Sequence, residues 1–141
     1  MAYENSVLSL SPDGQRLRAA ESVFRENKFE VVSVSTPLQA RFEIEMGRCG
    51  VFLTSYITPL AIYQDLAALF RRNCPTGVVI YLAGRPDESI PDADIVISEA
   101  DDPHSIVMRV RSKQSGRESR ESSAQATESS EPKKTSYEVD R

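Results

Sequence analysis

The sequence lacks several features that common classes of protein require. It has no tryptophan, a single histidine and only two cysteines among its 141 residues. That supply falls short of a structural zinc site, which takes four nitrogen or sulfur ligands. No apolar run approaches the roughly 18 residues of a membrane span. The first residues also lack the basic and apolar segments of a signal peptide. We therefore expect a cytoplasmic protein without a metal or a membrane contact.

An excess of positive charge is also missing. The 17 Lys and Arg residues are outnumbered by 21 Asp and Glu residues, and the formal net charge is -4. Binding to nucleic acid depends on Lys and Arg side chains that neutralise phosphates. Nucleic acid is therefore a poor candidate partner for this chain.

The two cysteines, Cys49 and Cys74, are each expected where a helix ends and a strand begins. They show no C-x-x-C spacing, which is the usual signature of a redox motif. We therefore expect reduced, partly buried side chains that behave as small apolar residues. A redox pair or a disulfide is the alternative.

Short apolar runs alternate with helical patterns along the first 111 residues. Five runs indicate strands, at residues 7–10, 29–34, 51–53, 78–82 and 95–97. The most apolar of them do not alternate with polar residues, which is typical of strands covered on both faces of a parallel sheet. The repeated βα order predicts a three-layer α/β fold with a doubly wound parallel five-stranded sheet in the order 2-1-3-4-5.

The intervening helices carry start signals and apolar faces. The first is predicted to begin at Ser11 and Pro12, with its charged residues, Glu21 among them, facing solvent. Its predicted inner face consists of Leu17, Ala20, Val23 and Phe24. The second is predicted to bury a stripe made of Leu38, Phe42, Ile44 or Glu45, and Met46. Helices one and five should cover one face of the sheet, and helices two and three the other.

Residues 112–141 differ in composition from the rest of the chain. They contain eight serines, six basic and six acidic residues, and few apolar side chains. Such a segment cannot bury a core. We therefore predict a folded domain over residues 1–111 and a disordered, serine-rich charged tail over residues 112–141.

The segment 50–59, GVFLTSYITP, should hold the site if the chain has one, because ligands of open α/β sheets bind beyond the carboxyl ends of the strands. It offers the hydroxyl groups of Thr54, Ser55, Tyr56 and Thr58. It contains no acid, no base and no phosphate-cradling glycines. We therefore predict that the chain is not an enzyme.

Three segments resemble one known family. Residues 93–111, ADIVISEADDPHSIVMRVR, follow without a gap the family pattern A-D-D-Y-L-x-K-P, D-P-x-x-L and R-V-R. Residues 29–32, FEVV, are similar to the family's G-Y-E-V, and residues 50–59 to its D-L-V-L-L-D-x-x-M-P stretch. By these motifs, residues 5–111 resemble the receiver domain, the CheY-like fold of response regulators.

The resemblance also implies that the family's phosphorylation residues are replaced. The family has two Mg²⁺-binding acids after the first strand, a phosphoacceptor Asp after the third, a Ser or Thr after the fourth and a Lys after the fifth. These positions fall on Ser11 and Pro12, on Ser55, on Leu82 or Ala83, and on Glu99. No acyl phosphate forms without the carboxylate, and Glu99 would repel phosphate. The resemblance therefore implies a pseudo-receiver without cofactor or metal.

The link between the fourth and fifth strands, residues 83–94, departs from the family as well. A parallel crossover usually needs a dozen or more residues, most often with a helix. The family's fourth helix is therefore predicted to be shortened or absent. Side chains that this helix would cover, near Tyr81, Ile90 and Ile95, are predicted to be partly exposed and to form an interaction surface.

The resemblance favours a non-catalytic signalling module of a bacterial two-component or phosphorelay system that acts by binding a protein, as a monomer or weak dimer. One alternative is a receiver-like regulator modified on Ser55 or on serines of the tail. Another is a small flavodoxin-like enzyme, for which residues 9–14 are a poor phosphate-binding loop.

Overall fold

Strands and helices alternate along the chain in the computed structural model, which describes residues 5–13, 15–85, 90–98 and 101–114. Within these residues the elements are β1 (Ser6–Leu10), α1 (Arg18–Glu26), β2 (Glu30–Val34), α2 (Pro37–Glu45), β3 (Val51–Ser55), α3 (Leu60–Asn73), β4 (Val78–Leu82), β5 (Ile95–Ile97) and α4 (103–114).

The five strands form one parallel sheet in the order β2-β1-β3-β4-β5, which confirms the predicted topology. The register places Leu8 beside Val32 on one side and Phe52 on the other. The strand β3 lies between β1 and β4, and all five of its residues are buried. The centre of the sheet therefore lies at β3, as its apolar sequence suggests.

Two apolar clusters fill the two sides of the sheet. Because successive strand residues point to opposite faces, Val51 and Leu53 pack with α1 and α4, whereas Phe52 packs with α2 and α3. The side chains of α4 in the first cluster are Ile106, Val107 and Val110. This arrangement confirms the predicted distribution of helices, α4 being the fifth helix of that prediction.

The start of α1 differs from the prediction. Ser11 and Pro12 do not begin the helix, which starts at Arg18. The Ser11 hydroxyl donates to Asp13 Oδ1 at 2.8 Å, and the same oxygen accepts the backbone N–H groups of Gln15 and Arg16 at 3.2 Å each. The Asp13 carboxylate thus accepts hydrogen bonds from the backbone of a turn that precedes the helix. The predicted inner face is correct: Leu17, Ala20, Val23 and Phe24 are buried.

The predicted buried stripe of α2 is correct at Ile44 and wrong at Leu38, Phe42 and Met46. Leu38, Phe42 and Met46 are 76%, 55% and 52% exposed, whereas Ala40 and Ile44 are fully buried. Because α2 has apolar residues on both sides, its periodicity does not distinguish them. The small Ala40 lets the helix lie close to the sheet, and the larger side chains therefore face outward.

The connection between β4 and β5 is short, as predicted. Of its residues 83–94, those that the structure describes, 83–85 and 90–94, include no helical residue. Two side chains of α3 hold the end of this segment. The Tyr63 hydroxyl donates to the Pro91 carbonyl at 2.8 Å, and Arg71 contacts the Asp94 carboxylate at 2.9 Å and donates to the Asp92 carbonyl at 2.7 Å.

The prediction that Tyr81 and Ile95 are partly exposed is wrong. Tyr81 is 3% exposed, because the Tyr63 ring packs edge-on against it with centroids 4.9 Å apart. Ile95 is 2% exposed and lies in the cluster formed with α1 and α4. Ile90 is half-buried against the opposite cluster. We expected Tyr81 to be exposed because a helix is missing here. Instead, Tyr63 of α3 covers it, and residues 91–94 of the short connection are bound to the same helix.

The final helix extends to residue 114, three residues beyond the predicted end of the folded domain. The remaining residues, 115–141, lie outside the described part of the chain, and the disordered tail stays a prediction. Among the residues that the structure describes, no helix has both the length and the apolar character to span a membrane.

Candidate functional site

At the carboxyl ends of the neighbouring strands β1 and β3, the chain continues to opposite faces of the sheet. The chain leaves β1 through α1 on one face of the sheet and leaves β3 through α3 on the other. In open α/β sheets, such a point opens a crevice in which ligands bind. The structure brings Ser11, Pro12 and Ser55 to this edge, together with Leu82 and Ala83 at the end of β4.

Ser55 is the last residue of β3 and is fully buried. Its hydroxyl oxygen accepts the backbone N–H of Ile57 at 3.3 Å, and its carbonyl accepts the N–H of Thr58 at 3.0 Å. These bonds fold the following turn over the side chain. Ser55 therefore supplies a neutral, hydrogen-bonded hydroxyl at the position where the resemblance expects a phosphoacceptor carboxylate.

The neighbouring hydroxyls of Thr54 and Thr58 are also engaged within the fold. Thr54 Oγ1 donates to the Leu10 carbonyl at 3.2 Å and lies 3.0 Å from Thr58 Oγ1. Because Thr54 uses its proton on Leu10, Thr58 is the donor between the two hydroxyls. Both side chains are buried. This pair fastens the turn after β3 to the end of β1.

The metal-acid positions carry no acid, but Asp13 lies next to them. Ser11 is buried and donates its N–H to the Val34 carbonyl at 3.0 Å, while Pro12 is exposed. The pKa of Asp13 is lowered, first by the N–H of Gln15 and then by the Ser11 hydroxyl. Arg16 Nε lies 3.6 Å from its second oxygen. In the described part of the chain, no three His, Cys, Asp or Glu side chains group as metal ligands.

Tyr56 links the loops that follow β1 and β4, a role that the sequence analysis did not assign to it. The Arg16 guanidinium lies over its ring, 5.0 Å from the centroid, in cation–π geometry. Gly84 lies against the ring, and a Cβ added there would be 3.4 Å from Tyr56 Cγ. The Tyr56 N–H also donates to the Leu82 carbonyl at 2.9 Å. In the sequence, only the presence of an aromatic residue directly after a strand could have indicated this role of Tyr56.

The remaining family positions contain no phosphate ligand within the described residues. Leu82 and Ala83 are 5% and 1% exposed and have apolar side chains. The Ala83 N–H, which could otherwise serve as a donor, is bonded to the Ile97 carbonyl at 2.8 Å. Glu99 lies outside the described residues, so the Lys position is not tested.

A buried acid near this edge was missed in the sequence analysis. Glu21 was expected to face solvent, but it is 8% exposed and accepts a hydrogen bond of 2.5 Å from the buried Ser9 hydroxyl. Arg25 lies 3.9 Å from its other oxygen. The acid borders a groove of about 550 Å³ between α1 and the end of β2, lined by Ser11, Arg18, Glu21, Ser22, Arg25, Ser33, Val34, Ser35 and Gln39. Glu21 and Arg25 are four residues apart on the helix, and this spacing could have predicted the ion pair from the sequence.

Comparison with known proteins identifies which α/β fold this chain adopts. No protein-family model matches the sequence, and no curated protein is significantly similar to it. Solved structures do match over nearly their whole length. The fold is that of the response-regulator receiver domain.

Three of these structures illustrate the likeness. A CheY-like receiver domain protein from Methanospirillum hungatei is 17% identical with a TM-score of 0.67, and the match covers 82% of this chain and 97% of that one. The signal receiver domain of an HD domain-containing protein from Pseudomonas fluorescens is 14% identical, with a TM-score of 0.66 and coverage of 81% and 97%. A response regulator from Thermotoga maritima is 15% identical, with a TM-score of 0.65 and coverage of 78% and 97%. At such identities the likeness establishes the receiver fold alone.

Proposed function

We propose that this chain is a non-catalytic receiver-like module of a two-component signalling system and that it acts by binding a protein. The observation that carries the proposal is the buried Ser55 hydroxyl at the end of β3, bonded to the turn that follows it. A serine hydroxyl needs a general base to act as a nucleophile. The nearest acid after β1, Asp13, is held by Ser11 and Arg16 instead.

The direct test is phosphotransfer from a small donor. We expect no added phosphate in the intact mass after incubation with acetyl phosphate and Mg²⁺, because the carboxylate that forms the acyl phosphate is absent. A receiver domain with its aspartate intact, treated in parallel, should gain one phosphate. An adduct mapped to residues 9–13 or to Ser55 would overturn the non-catalytic proposal.

The outer face of α2 is the surface that best supports a protein contact. Leu38, Phe42 and Met46 are spaced four residues apart, so they line one side of the helix. All three are more than half exposed, and they lie opposite Ala40 and Ile44, which pack on the sheet. A contiguous exposed apolar patch usually marks an interaction site. We call these three residues the α2 stripe.

The charges beside the α2 stripe favour a second copy of the chain as the partner. Arg41 and Glu45 form an exposed pair along one flank, with Arg41 Nε 3.2 Å from Glu45 Oε2. In an antiparallel pairing about a two-fold axis at Phe42, Leu38 of each copy meets Met46 of the other. Arg41 then lies close to Glu45 of the partner subunit. The stripe and its flank are thus self-complementary, which is the property that a two-fold interface requires.

The described residues weigh against the two alternatives from the sequence analysis. A modifying enzyme would have to reach Ser55, which is fully buried; the serines beyond residue 114 lie outside the described part. A flavin phosphate would bind at the loop after β1. There, the hydroxyls of Ser9 and Ser11 are bonded to the carboxylates of Glu21 and Asp13, which would repel a phosphate.

A further inference from the structure

The two cysteines of the chain are neighbours in the structure. Cys49 lies between α2 and β3, and Cys74 follows α3, 25 positions along the chain. The Cys74 thiol donates to the Cys49 carbonyl at 2.8 Å. These are the only cysteines in the sequence, and the fold brings them together at the amino edge of the sheet, opposite Ser55.

The backbone holds the two connections together independently of the sulfur atoms. The Val78 N–H donates to the Gly50 carbonyl at 3.0 Å, and the Gly77 N–H donates to the Cys74 carbonyl at 2.9 Å. The first bond continues the pairing in which Val51 lies beside Val78, and the second closes the turn that begins at Cys74. The thiols are therefore held close together by the fold, and such positioning accelerates a reaction between them.

The two thiols differ in access and in acidity. Cys49 is 4% exposed, whereas Cys74 is half-buried and therefore more accessible. A hydrogen bond from the Cys49 thiol lowers the pKa of Cys74, and the same bond, together with burial, raises the pKa of Cys49. Since the thiolate is the reactive form, Cys74 is the attacking sulfur and Cys49 the sulfur that reacts second.

We propose that Cys49 and Cys74 form a redox modification site, in which a hydroperoxide converts the two thiols into a reversible intramolecular disulfide. With hydrogen peroxide, the Cys74 thiolate attacks one oxygen and the O–O bond breaks. Cys74 becomes a sulfenic acid, and the departing hydroxide takes up a proton to form water. The Cys49 sulfur then displaces the sulfenic hydroxyl as a second water, and the S–S bond forms. Two thiols are oxidised while one peroxide is reduced, and a small thiol reverses the change.

The decisive experiment uses the full wild-type chain with hydrogen peroxide in slight excess. We expect the non-reduced intact mass to fall by two hydrogens and a peptide map to contain one cross-linked pair joining Cys49 to Cys74. Dithiothreitol should restore the original mass. Two free thiols after treatment, a disulfide between chains, or stable over-oxidation without a cross-link would each overturn the proposal.

Single variants assign the order of reaction. In Cys49→Ser, the remaining thiol should accumulate sulfenic acid, trapped as a dimedone adduct, because no second sulfur resolves it. In Cys74→Ser, the remaining buried thiol should react at least about tenfold more slowly. Equal rates would overturn the assignment of Cys74 as the attacking sulfur. If either variant does not fold, the wild-type peptide map still decides whether the pair closes.

Discussion

At the scale of single residues, the carboxyl edge of the sheet is occupied by internal hydrogen bonds. Thr54 is bonded to Leu10, Ser55 to the N–H of Ile57, and Asp13 to Ser11 and its own turn. Each of these three side chains thus has a hydrogen-bond partner within the fold. A site built for phosphate would instead leave donors pointing into the crevice. These hydroxyl groups therefore stabilise the loops at this edge, as the proposed module without phosphotransfer chemistry would have them do.

The variant Ser55→Asp tests this interpretation at one residue. We expect it to remain unphosphorylated by acetyl phosphate and Mg²⁺, because the metal-binding acids stay absent. It should also be about 3 kcal/mol less stable than wild type, since an unpaired carboxylate is costly at a fully buried position. Urea unfolding measures the loss. The control Ser55→Ala should lose only about 1 kcal/mol, for the hydrogen bond to Ile57. A phosphate adduct in Ser55→Asp would show that the remaining residues can support phosphotransfer, and it would contradict the proposal.

At the scale of elements, α3 covers part of the area that the sequence analysis predicted to be exposed by a missing fourth helix. Tyr63 packs on Tyr81, and both Tyr63 and Arg71 bind the carbonyls of residues 91–92. The Asp94 carboxylate accepts the Val79 N–H at 2.8 Å and pairs with Arg71. The end of the short connection is thereby fixed to both α3 and β4. Tyr81 is thereby covered, whereas the three residues of the α2 stripe are each more than half exposed.

The variant Phe42→Asp tests whether α2 pairs with a second copy. Wild type should form dimers as its concentration rises in size-exclusion chromatography with light scattering. Phe42→Asp should weaken them by at least about tenfold, because it places a charge at the centre of the apolar contact. Met108→Asp is the matched control, since Met108 is an exposed apolar residue, 74% accessible, on α4. Circular dichroism should be unchanged in both variants.

The alternatives give different results in the same experiment. Dimers disrupted by Met108→Asp and not by Phe42→Asp would move the interface to α4. If the wild type stays monomeric and dimerises only after residues 115–141 are removed, the tail and not a second copy binds the α2 stripe. A monomer under all conditions would contradict a second copy as the partner. In the antiparallel pairing, Arg41→Glu alone should weaken the dimer, and adding Glu45→Arg should restore it.

At the scale of the whole molecule, the three layers close around β1, β3 and β4, and the chain leaves this core through α4. Ile106, Val107 and Val110 join the cluster beneath α1. The Arg111 guanidinium lies over the Phe29 ring, 4.9 Å from its centroid, and donates to the Asn27 carbonyl at 2.9 Å. The contacts of α4 with the rest of the fold thus continue as far as Arg111, and the helix itself continues to residue 114. Truncated variants should therefore keep residues 112–114.

Removal of residues 115–141 should leave the folded unit intact. We expect the melting temperature to change by no more than about 2 °C, because the segment has few apolar side chains to bury. Differential scanning calorimetry measures the change. Truncation after Arg111 is the control, and it should lower the melting temperature further because it removes the last helical turn with the half-buried Gln114. A fall of about 8 °C on removal of residues 115–141 alone would show that the tail docks on the domain.

The sequence by itself determined the strands, their order, the distribution of the helices and the uncharged corner at Ser55. These follow from short-range patterns: unbroken apolar runs, βα alternation and the residue type at each strand end. Only the tertiary structure decided which side of α2 meets the sheet, that Tyr81 is covered, and that Cys49 lies beside Cys74. A periodic pattern reports that a helix has apolar sides, but the fit against its neighbours selects one of them. Contacts between residues 25 positions apart depend on strand register and loop paths, which no local pattern encodes.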